Sequence, residues 1–307
     1  MHILGQSLQH LKNDLSHSSA NHPVNTIIKT GFESIDSYIF GYRRGEMTVV
    51  AGRPGMGVTS FLIETALNMS TQHGYAGAFI SVDISYAVLQ AKFASIVMNM
   101  DINNIFNADA AKINWPVDYS TLPLYLHTQG NRFLEDIIEQ VEILTEKRSL
   151  DFLIIDSLQN VELQKPFFPP HLYFEKFNVI IPSLLDFARK KNIALICGSS
   201  IKRSVEYRGG SNKPYLSDIA QTSLIEERAE KVIILYRPEY YEYFKDDNGN
   251  STKGIMQVSV EKNISGQCCE FKFLAKSYKN HPFRIIDPGT EANAIRHYLM
   301  LDENDDE

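Results

Sequence analysis

A glycine-rich segment between an apolar run and a helical pattern constrains the fold of this chain more than any other feature. Residues 52–59, GRPGMGVT, match the phosphate-binding pattern G-x-x-x-x-G-K-[ST] at every position except Val58, which replaces the lysine. An apolar run at 47–51 precedes the glycines, and residues 60–69 follow them with helical spacing. This order of strand, loop and helix predicts a phosphate-binding loop at a helix N-terminus. A glycine-rich turn without a ligand is the alternative.

The predicted loop retains most of the groups that bind a nucleotide. Its glycines lack a Cβ atom, so backbone N–H groups can converge on a phosphate, and the Thr59 hydroxyl can reach Mg²⁺. Val58 cannot supply the cation that reaches the β- and γ-phosphates. We therefore expect ATP or another nucleoside triphosphate, with Mg²⁺, as cofactors. The expected binding residues are Gly52, Arg53, Pro54, Gly55, Met56, Gly57, Val58, Thr59 and Ser60.

Apolar runs alternate with helical patterns along the chain. The runs are nearly continuous, as in a parallel sheet covered on both faces, and they predict strands at 47–51, 77–83, 152–156, 194–199 and 231–236. Helical patterns occupy 132–148 and 174–191, and a β-hairpin is expected from 254–262 and 269–275. The prediction is an α/β architecture with the ligand at the carboxyl ends of the strands.

Composition is consistent with one main domain and excludes several classes of function. With 307 residues and 44% apolar content, the chain can bury a large core. No apolar run reaches the ~18 residues of a membrane span and no signal-peptide pattern is present, so a cytoplasmic location is expected. Three cysteines and scattered histidines indicate neither a disulfide framework nor a metalloenzyme site. The net charge of −7 does not decide whether the chain binds nucleic acid.

Several blocks together resemble the C-terminal, RecA-like motor domain of DnaB-type replicative helicases over residues 30–287. They are TGFESID at 30–36, GE at 45–46, GRPGMG at 52–57, LIIDSLQ at 153–159, SDI at 217–219, IE at 225–226 and YR at 236–237. The resemblance implies a RecA-like P-loop NTPase fold, a mostly parallel twisted sheet with helices on both faces and a C-terminal β-hairpin extension. It also implies that Asp156 is the Walker B carboxylate that holds the metal with Thr59. The expected domain boundaries are 1–29 for a linker helix and connector, 30–290 for the helicase domain and 291–307 for an acidic tail.

The same comparison identifies positions where this chain departs from the family. Asp83 stands where the family has the glutamate that polarises water, so it remains a candidate catalytic base with a shorter side chain. Ser200 replaces the glutamine that senses the γ-phosphate. In the segment that reaches the neighbouring subunit's nucleotide, Lys262 is retained and Ile264 replaces the arginine finger. Together with Val58, these changes predict weak nucleotide binding and impaired hydrolysis.

Single-stranded DNA is the expected macromolecular ligand. The stretch 201–217 is basic and contains glycine, which predicts a mobile loop along a phosphate backbone; an ordinary surface loop is the alternative. The resemblance implies DNA contacts at Arg203 and in the stretch 221–223, where the family's residues have changed. The candidate DNA-binding residues are Lys202, Arg203, Arg208, Gln221 and Ser223.

The N-terminal region predicts a helix with an apolar stripe that needs a partner. Leu4, Leu8, Leu11 and Leu15 lie on one face of this helix. In the resembled family a linker helix packs on the adjacent subunit, so a homo-oligomer, up to a hexameric ring, is expected, with other replication proteins as possible partners. Folding back onto its own domain is the alternative.

Three functions remain open at this point. The first is a nucleotide- and DNA-binding protein of DNA replication with impaired hydrolysis. The second is an active ATP-dependent 5'-3' helicase or translocase in which Arg53 or Lys262 replaces the missing charge. The third is a pseudo-ATPase scaffold that retains only the fold and the oligomer interface.

Overall fold

The structure, a computed structural model, describes residues 26–107, 121–128, 132–165, 175–208, 210–220, 223–276 and 284–287. The predicted N-terminal helix, the acidic tail and Gln221 lie outside these residues.

A nine-stranded sheet forms the centre of the molecule. Its strands are β3 (Met47–Gly52), β4 (Gly77–Ser81), β5 (Leu124–Thr128), β6 (Phe152–Asp156), β7 (Ala194–Ser200), β8 (Lys231–Tyr236), β9 (Ile255–Asn263), β10 (Cys269–Lys276) and β11 (Arg284–Ile286). The order across the sheet is β11-β10-β9-β8-β3-β7-β6-β4-β5. All pairings from β8 to β5 are parallel, whereas β9, β10 and β11 are added antiparallel. A separate antiparallel pair joins β1 (Ile27–Ile28) and β2 (Tyr42–Arg43).

Helices cover both faces of the sheet and divide the core into two clusters. They are α1 (Glu33–Ile39), α2 (Val58–His73), α3 (Tyr86–Met98), α4 (Ile102–Asn107), α5 (Leu134–Lys147), α6 (Phe177–Lys191) and α7 (Ser223–Arg228). One apolar cluster includes residues of α5 and α6, and the other includes residues of α2 and α3. Because both faces are covered, every residue of β3, β4, β6 and β8 is buried, which explains their continuous apolar sequences.

The predicted α/β architecture is confirmed, with small corrections at element ends. The hairpin of β9 and β10 pairs as expected, and the two long helical patterns correspond to α5 and α6. Strand β4 ends at Ser81, two residues before the predicted end, so Asp83 lies in the turn that leads to α3. None of the helices in the described part of the chain is long and apolar enough to cross a membrane.

Candidate nucleotide-binding site

The glycine-rich loop connects buried β3 to the start of α2. Gly55 and Gly57 have φ angles of +86° and +92°, which glycine adopts without strain, and α2 begins immediately afterwards at Val58. This geometry turns the chain sharply and places the N-terminus of a sixteen-residue helix at the carboxyl edge of the sheet. Backbone N–H groups at such a terminus have no partner within the helix and favour anions.

Thr59 and Asp156 form the centre of the site. The Thr59 hydroxyl donates a hydrogen bond of 2.7 Å to Asp156 Oδ2. Gly198 on β7 leaves room for this carboxylate, because a Cβ atom there would lie 2.7 Å from Asp156 Oδ1. Burial raises the pKa of Asp156 to about 6; the bond from Thr59 lowers it, the charge of Asp83 raises it and the charge of Lys92 lowers it.

These two oxygen donors fit a hard divalent cation. Mg²⁺ prefers oxygen ligands and is commonly bound through one or two carboxylates together with phosphate and water. A hydroxyl and a buried carboxylate within hydrogen-bonding distance, beside an anion-favouring helix terminus, provide that donor set. Thr59 and Asp156 would hold the metal next to the phosphates of a nucleotide.

Val58 lies against the backbone of the neighbouring strands. A Cβ atom on Gly52 would be 2.9 Å from Val58 Cγ2, and one on Gly198 would be 3.5 Å from Val58 Cγ1. The side chain is half-buried and apolar, so it packs on the floor of the cleft without contributing charge.

Asp83 faces the site from the turn after β4. Its carboxylate accepts hydrogen bonds from the Ser157 hydroxyl, at 3.2 Å, and from the Asn160 amide. Burial raises the pKa of Asp83, and these two bonds oppose the rise. The carboxylate is therefore held in place by neutral donors.

Ser200, at the position of the expected sensor, ends β7 beside the cleft. Its backbone N–H donates to Gln159 Oε1 at 3.1 Å, and Gln159 Nε2 donates to the Ser199 hydroxyl at 2.8 Å. These bonds tie the turn after β6 to the end of β7, but the Ser200 side chain is too short to extend far into the cleft.

These elements enclose an open cleft of about 420 Å³ at the carboxyl ends of β3, β6 and β7. Its walls are formed by Gly52, Arg53, Pro54, Gly55, Gly57, Val58, Thr59, Ser60, Asp83, Lys92, Asp156, Ser157, Ser199, Ser200 and Arg237. We call this space the nucleotide cleft. The structure thus brings together both predicted catalytic carboxylates and eight of the nine predicted loop residues.

The ninth loop residue, Met56, has a structural position. It is fully buried, and its sulfur accepts a hydrogen bond from the Arg237 N–H at 3.3 Å. Arg53 lines the cleft, but its guanidinium donates to Glu206 Oε1 at 2.7 and 3.0 Å and to the Ile201 carbonyl at 3.0 Å. Its charge is therefore already paired.

The basic stretch 201–217, which we call the basic segment, follows β7 directly and is compact where it is described. Arg203 has 75% of its side chain accessible, and Glu206 lies 3.6 Å away. Lys202 Nζ donates to the Ser217 carbonyl at 2.9 Å. Arg208 pairs with Asp218, and Lys213 pairs with Glu270. Ser223 is the exposed first residue of α7.

Lys262, the predicted contact to a neighbouring nucleotide, lies on β9 away from the cleft of its own chain. Its ammonium donates to the backbone carbonyls of Glu226 and Glu227 at 2.7 and 3.1 Å. Ile264, just beyond the strand, is 61% exposed.

Comparison with known proteins identifies the family. The family model described as DnaB-like helicase C terminal domain matches residues 27–281, most of the chain. The chain belongs to this family.

Curated relatives of this DnaB-like domain are replicative helicases. The chain is 29% identical over 248 residues to a probable plasmid replicative DNA helicase of Chlamydia psittaci, covering 78% of this chain and 51% of that protein. It is 27% identical to the replicative DNA helicase DnaB of Geobacillus stearothermophilus, covering 78% of this chain and 53% of that protein. The chain thus spans about half the length of the curated relatives it matches.

Solved structures support the RecA-like fold of the DnaB-like domain. A DnaB-like replicative helicase, described with its interactions with primase, matches with a TM-score of 0.76 at 20% identity, covering 92% of this chain and 68% of that chain. A second solved structure, of an isolated ATPase domain, matches with a TM-score of 0.72 at 21% identity, covering 90% of this chain and 96% of that chain.

Two cations at the cleft of this DnaB-like domain were not predicted as site residues. Arg237 follows β8, and its guanidinium donates to the Gly55 carbonyl at 3.2 Å. Lys92 lies on α3, nine residues after Asp83. The only sequence signal for Lys92 is its place near the apolar face of a helix that follows a candidate catalytic carboxylate.

Proposed function

We propose that this DnaB-like chain binds a nucleoside triphosphate with Mg²⁺ and single-stranded DNA, and that its ATP hydrolysis is impaired. One observation carries the proposal: the glycine loop and the Thr59–Asp156 pair are intact around an apolar Val58. The groups that bind a metal and a phosphate are present, whereas the cation that assists phosphoryl transfer is absent from the loop.

The chain's own residues account for binding. The backbone of the glycine loop and the N-terminus of α2 would receive the phosphates, and Thr59 with Asp156 would hold the cation. Bound Mg²⁺ supplies positive charge to the phosphate oxygens. Because the pKa of Asp156 is about 6, its carboxylate is ionised and ready to bind a cation at neutral pH.

The same geometry supports slow hydrolysis. Asp83 already accepts hydrogen bonds from Ser157 and Asn160, and these donors compete with an attacking water for its carboxylate. Ser200 offers only a short hydroxyl, and Ile264 offers no charge to a neighbouring site. An arginine supplied at that point is worth about 10³ to 10⁵ in rate where it occurs. Losses within one catalytic unit are not additive, but all of these act in the same direction.

The two substitutes proposed for the missing lysine are poorly placed. Arg53 is paired with Glu206 and Lys262 with two backbone carbonyls. Either side chain would have to give up these bonds to reach a phosphate. This geometry favours binding without rapid turnover over an active motor.

Single-stranded DNA binding is proposed along the basic segment. Arg203 extends into solvent, and Tyr207, four positions later in the same short helix, is 75% exposed, so the segment presents both a cation and an aromatic surface. A phosphate next to a stackable base presents the complementary groups. The acidic partners of Arg208 and Lys213 reduce the positive potential, so we expect weak binding.

A homo-oligomer is proposed through the N-terminal segment. The described residues include an apolar groove of about 550 Å³ between α2, α3, α4 and β5, in which Phe106 is 55% exposed. The leucine stripe at residues 4–15 requires an apolar surface of this kind, and we propose that it occupies the groove of a neighbouring copy.

Deletion of residues 1–16 should reduce the mass measured by light scattering to that of a monomer; an unchanged mass would contradict the assignment.

Binding and turnover should be measured together on the full chain. A fluorescent ATP analogue should bind saturably in Mg²⁺, and steady-state hydrolysis should stay slow with or without single-stranded DNA. Thr59→Val, which removes only the hydroxyl donor, should weaken binding. Thr71→Val on the exposed part of the same helix is the matched control and should not change it.

The outcomes separate the candidate functions. Hydrolysis strongly stimulated by DNA would replace this proposal with an active translocase. Absence of nucleotide binding would leave only the scaffold.

A further inference from the structure

Three cations line the nucleotide cleft, and their partners differ. Arg53 is bound to Glu206 and the Ile201 carbonyl, and Arg237 donates to Gly55 and Glu239. Lys92 also lines the cleft, and among the described residues its ammonium makes no hydrogen bond or ion pair. It is therefore the cleft cation that can move to a ligand without breaking an existing bond.

Helix α3 fixes Lys92 in this position. The helix begins just after Asp83, with Ser85 as its N-cap, and buries Leu89, Phe93 and Ile96 against the core. Lys92 lies next to this face and is half-buried, so its stem is held while its end faces the cleft. Burial raises the pKa of Asp156 and the charge of Lys92 lowers it, so the ammonium lies within electrostatic range of that carboxylate.

We propose that Lys92 supplies the phosphate-binding cation that the glycine loop lacks at Val58. The inference rests on the proposed nucleotide-binding function and names the side chain that makes it possible. A lysine in the loop would reach the phosphates from the start of α2, whereas Lys92 reaches them from α3, on the side of Asp83. Its flexible four-carbon stem and three donors suit an anion approached from that side.

The position also agrees with the charges in the cleft. Asp83 and Asp156 both face the space that a highly charged anion would occupy, and the loop's own cation, Arg53, is already paired with Glu206. A triphosphate would be repelled by these two carboxylates unless a cation lay between or beside them. Lys92 provides that charge together with any bound metal.

A double-mutant cycle tests the proposal. The affinity for MgATP, and for inorganic tripolyphosphate with Mg²⁺, is measured by titration calorimetry for the unmodified chain, Lys92→Met, Val58→Lys and the double variant. Lys92→Met should weaken both ligands about 10- to 100-fold, as expected for loss of a charge-assisted hydrogen bond. Val58→Lys should raise affinity about threefold or less in the unmodified chain but about tenfold or more in the Lys92→Met background, because both lysines serve one site.

Control variants separate charge from structure. Lys190→Met removes an exposed lysine on α6, far from the cleft, and should leave affinity unchanged. Lys92→Arg keeps the cation and should retain most of the affinity. Should Lys92→Met fail to fold by circular dichroism, Lys92→Gln replaces it in the cycle.

Each contrary result has a definite meaning. Unchanged affinity in Lys92→Met, with MgATP bound normally by the unmodified chain, would overturn the inference and leave the proposed function standing. An equal gain from Val58→Lys in both backgrounds would show independent positions and would also overturn it. If the unmodified chain binds no MgATP, the proposed function fails, and the role of Lys92 fails with it.

Discussion

The nucleotide cleft and the basic segment both combine carboxylates with cations, but they pair these groups differently. In the cleft, Asp156 accepts a hydrogen bond from a threonine, and Asp83 accepts bonds from a serine and an asparagine. Around the basic segment, Asp218 is paired with Arg208, and Glu270 with Lys213. Neutral donors satisfy the cleft carboxylates without using a cation, whereas the carboxylates around the basic segment neutralise Arg208 and Lys213.

This difference predicts which polyanion the chain binds better. A cation that is already paired with a carboxylate must exchange that partner for a phosphate, and little net free energy is gained. An unpaired ammonium gains a new partner outright. We therefore expect a larger binding free energy per phosphate for a nucleotide in the cleft than for DNA on the basic segment.

The largest expected effect comes from removing the cleft's central carboxylate. Asp156→Asn keeps the shape and can still accept the hydrogen bond from Thr59, but it cannot provide charge to Mg²⁺. We expect the Mg²⁺-dependent part of nucleotide affinity to fall by about 100-fold. Titration calorimetry with and without Mg²⁺ measures this part. Asp186→Asn, on the exposed side of α6, is the control. If the Mg²⁺-dependent affinity is the same in both variants, Asp156 does not bind the metal.

A second prediction concerns pH and the metal-free chain. The folded state raises the pKa of Asp156 from the ordinary 3.8 to about 6, because the group is buried. The folded state therefore binds this proton more tightly than the unfolded state, and the associated stability is present below pH ~4 and lost as pH rises through about 6. A shift of this size corresponds to roughly 3 kcal/mol.

Urea unfolding of the unmodified chain and of Asp156→Asn isolates this contribution. The free energy of unfolding of the unmodified chain, minus that of the variant, should fall by roughly 2–3 kcal/mol between about pH 4 and about pH 7.5. Titrating groups that do not interact with Asp156 cancel in the difference. A difference that does not change with pH would show that the carboxylate is not buried as described.

A third prediction concerns a variant that frees a paired cation and so reduces the difference in charge pairing between the two regions. Glu206→Gln removes the charge that holds Arg53, whose side chain is only 15% exposed. Loss of this charge-assisted pair should lower the free energy of unfolding by roughly 1–3 kcal/mol. The freed guanidinium lines the cleft, so MgATP affinity should rise a few-fold.

Its control is Glu142→Gln, which alters an exposed carboxylate 3.5 Å from Lys190. That change should stay within about 0.5 kcal/mol and leave affinity unaltered. Reduced MgATP affinity in Glu206→Gln would mean instead that the pair is needed to shape the loop.

The sequence predicted the parts of the molecule that depend on local pattern. The buried strands are continuous apolar runs, and the glycine loop, Thr59 and Asp156 lie at their ends, so their convergence followed from a parallel sheet. Strand β5 was missed because it is an edge strand, half-buried over Leu124–Leu126, with a pattern too short to distinguish from a loop.

Pairings between distant residues could not be predicted in this way. Lys213 and Glu270 are 57 positions apart, and Arg53 and Glu206 are 153 apart. The sequence around either cation therefore does not show that a carboxylate neutralises it. The same applies to Lys92, which is an ordinary helical lysine until the fold places α3 beside the loop. Charge composition in a segment therefore overstates its attraction for DNA when acidic partners arrive from other elements.

The smallest predicted effect tests the basic segment at an exposed arginine. Arg203→Ala removes a cation whose side chain is 75% exposed, with Glu206 3.6 Å away as its weak partner. Single-stranded DNA affinity should fall about two- to fivefold, and the slope of log affinity against log salt should decrease by about 0.7, the value for one phosphate contact. Lys190→Ala, which removes a similarly exposed cation from α6, should change neither quantity. A salt slope that is the same in Arg203→Ala and the unmodified chain would place the DNA elsewhere, because loss of one phosphate contact must reduce the number of counterions released.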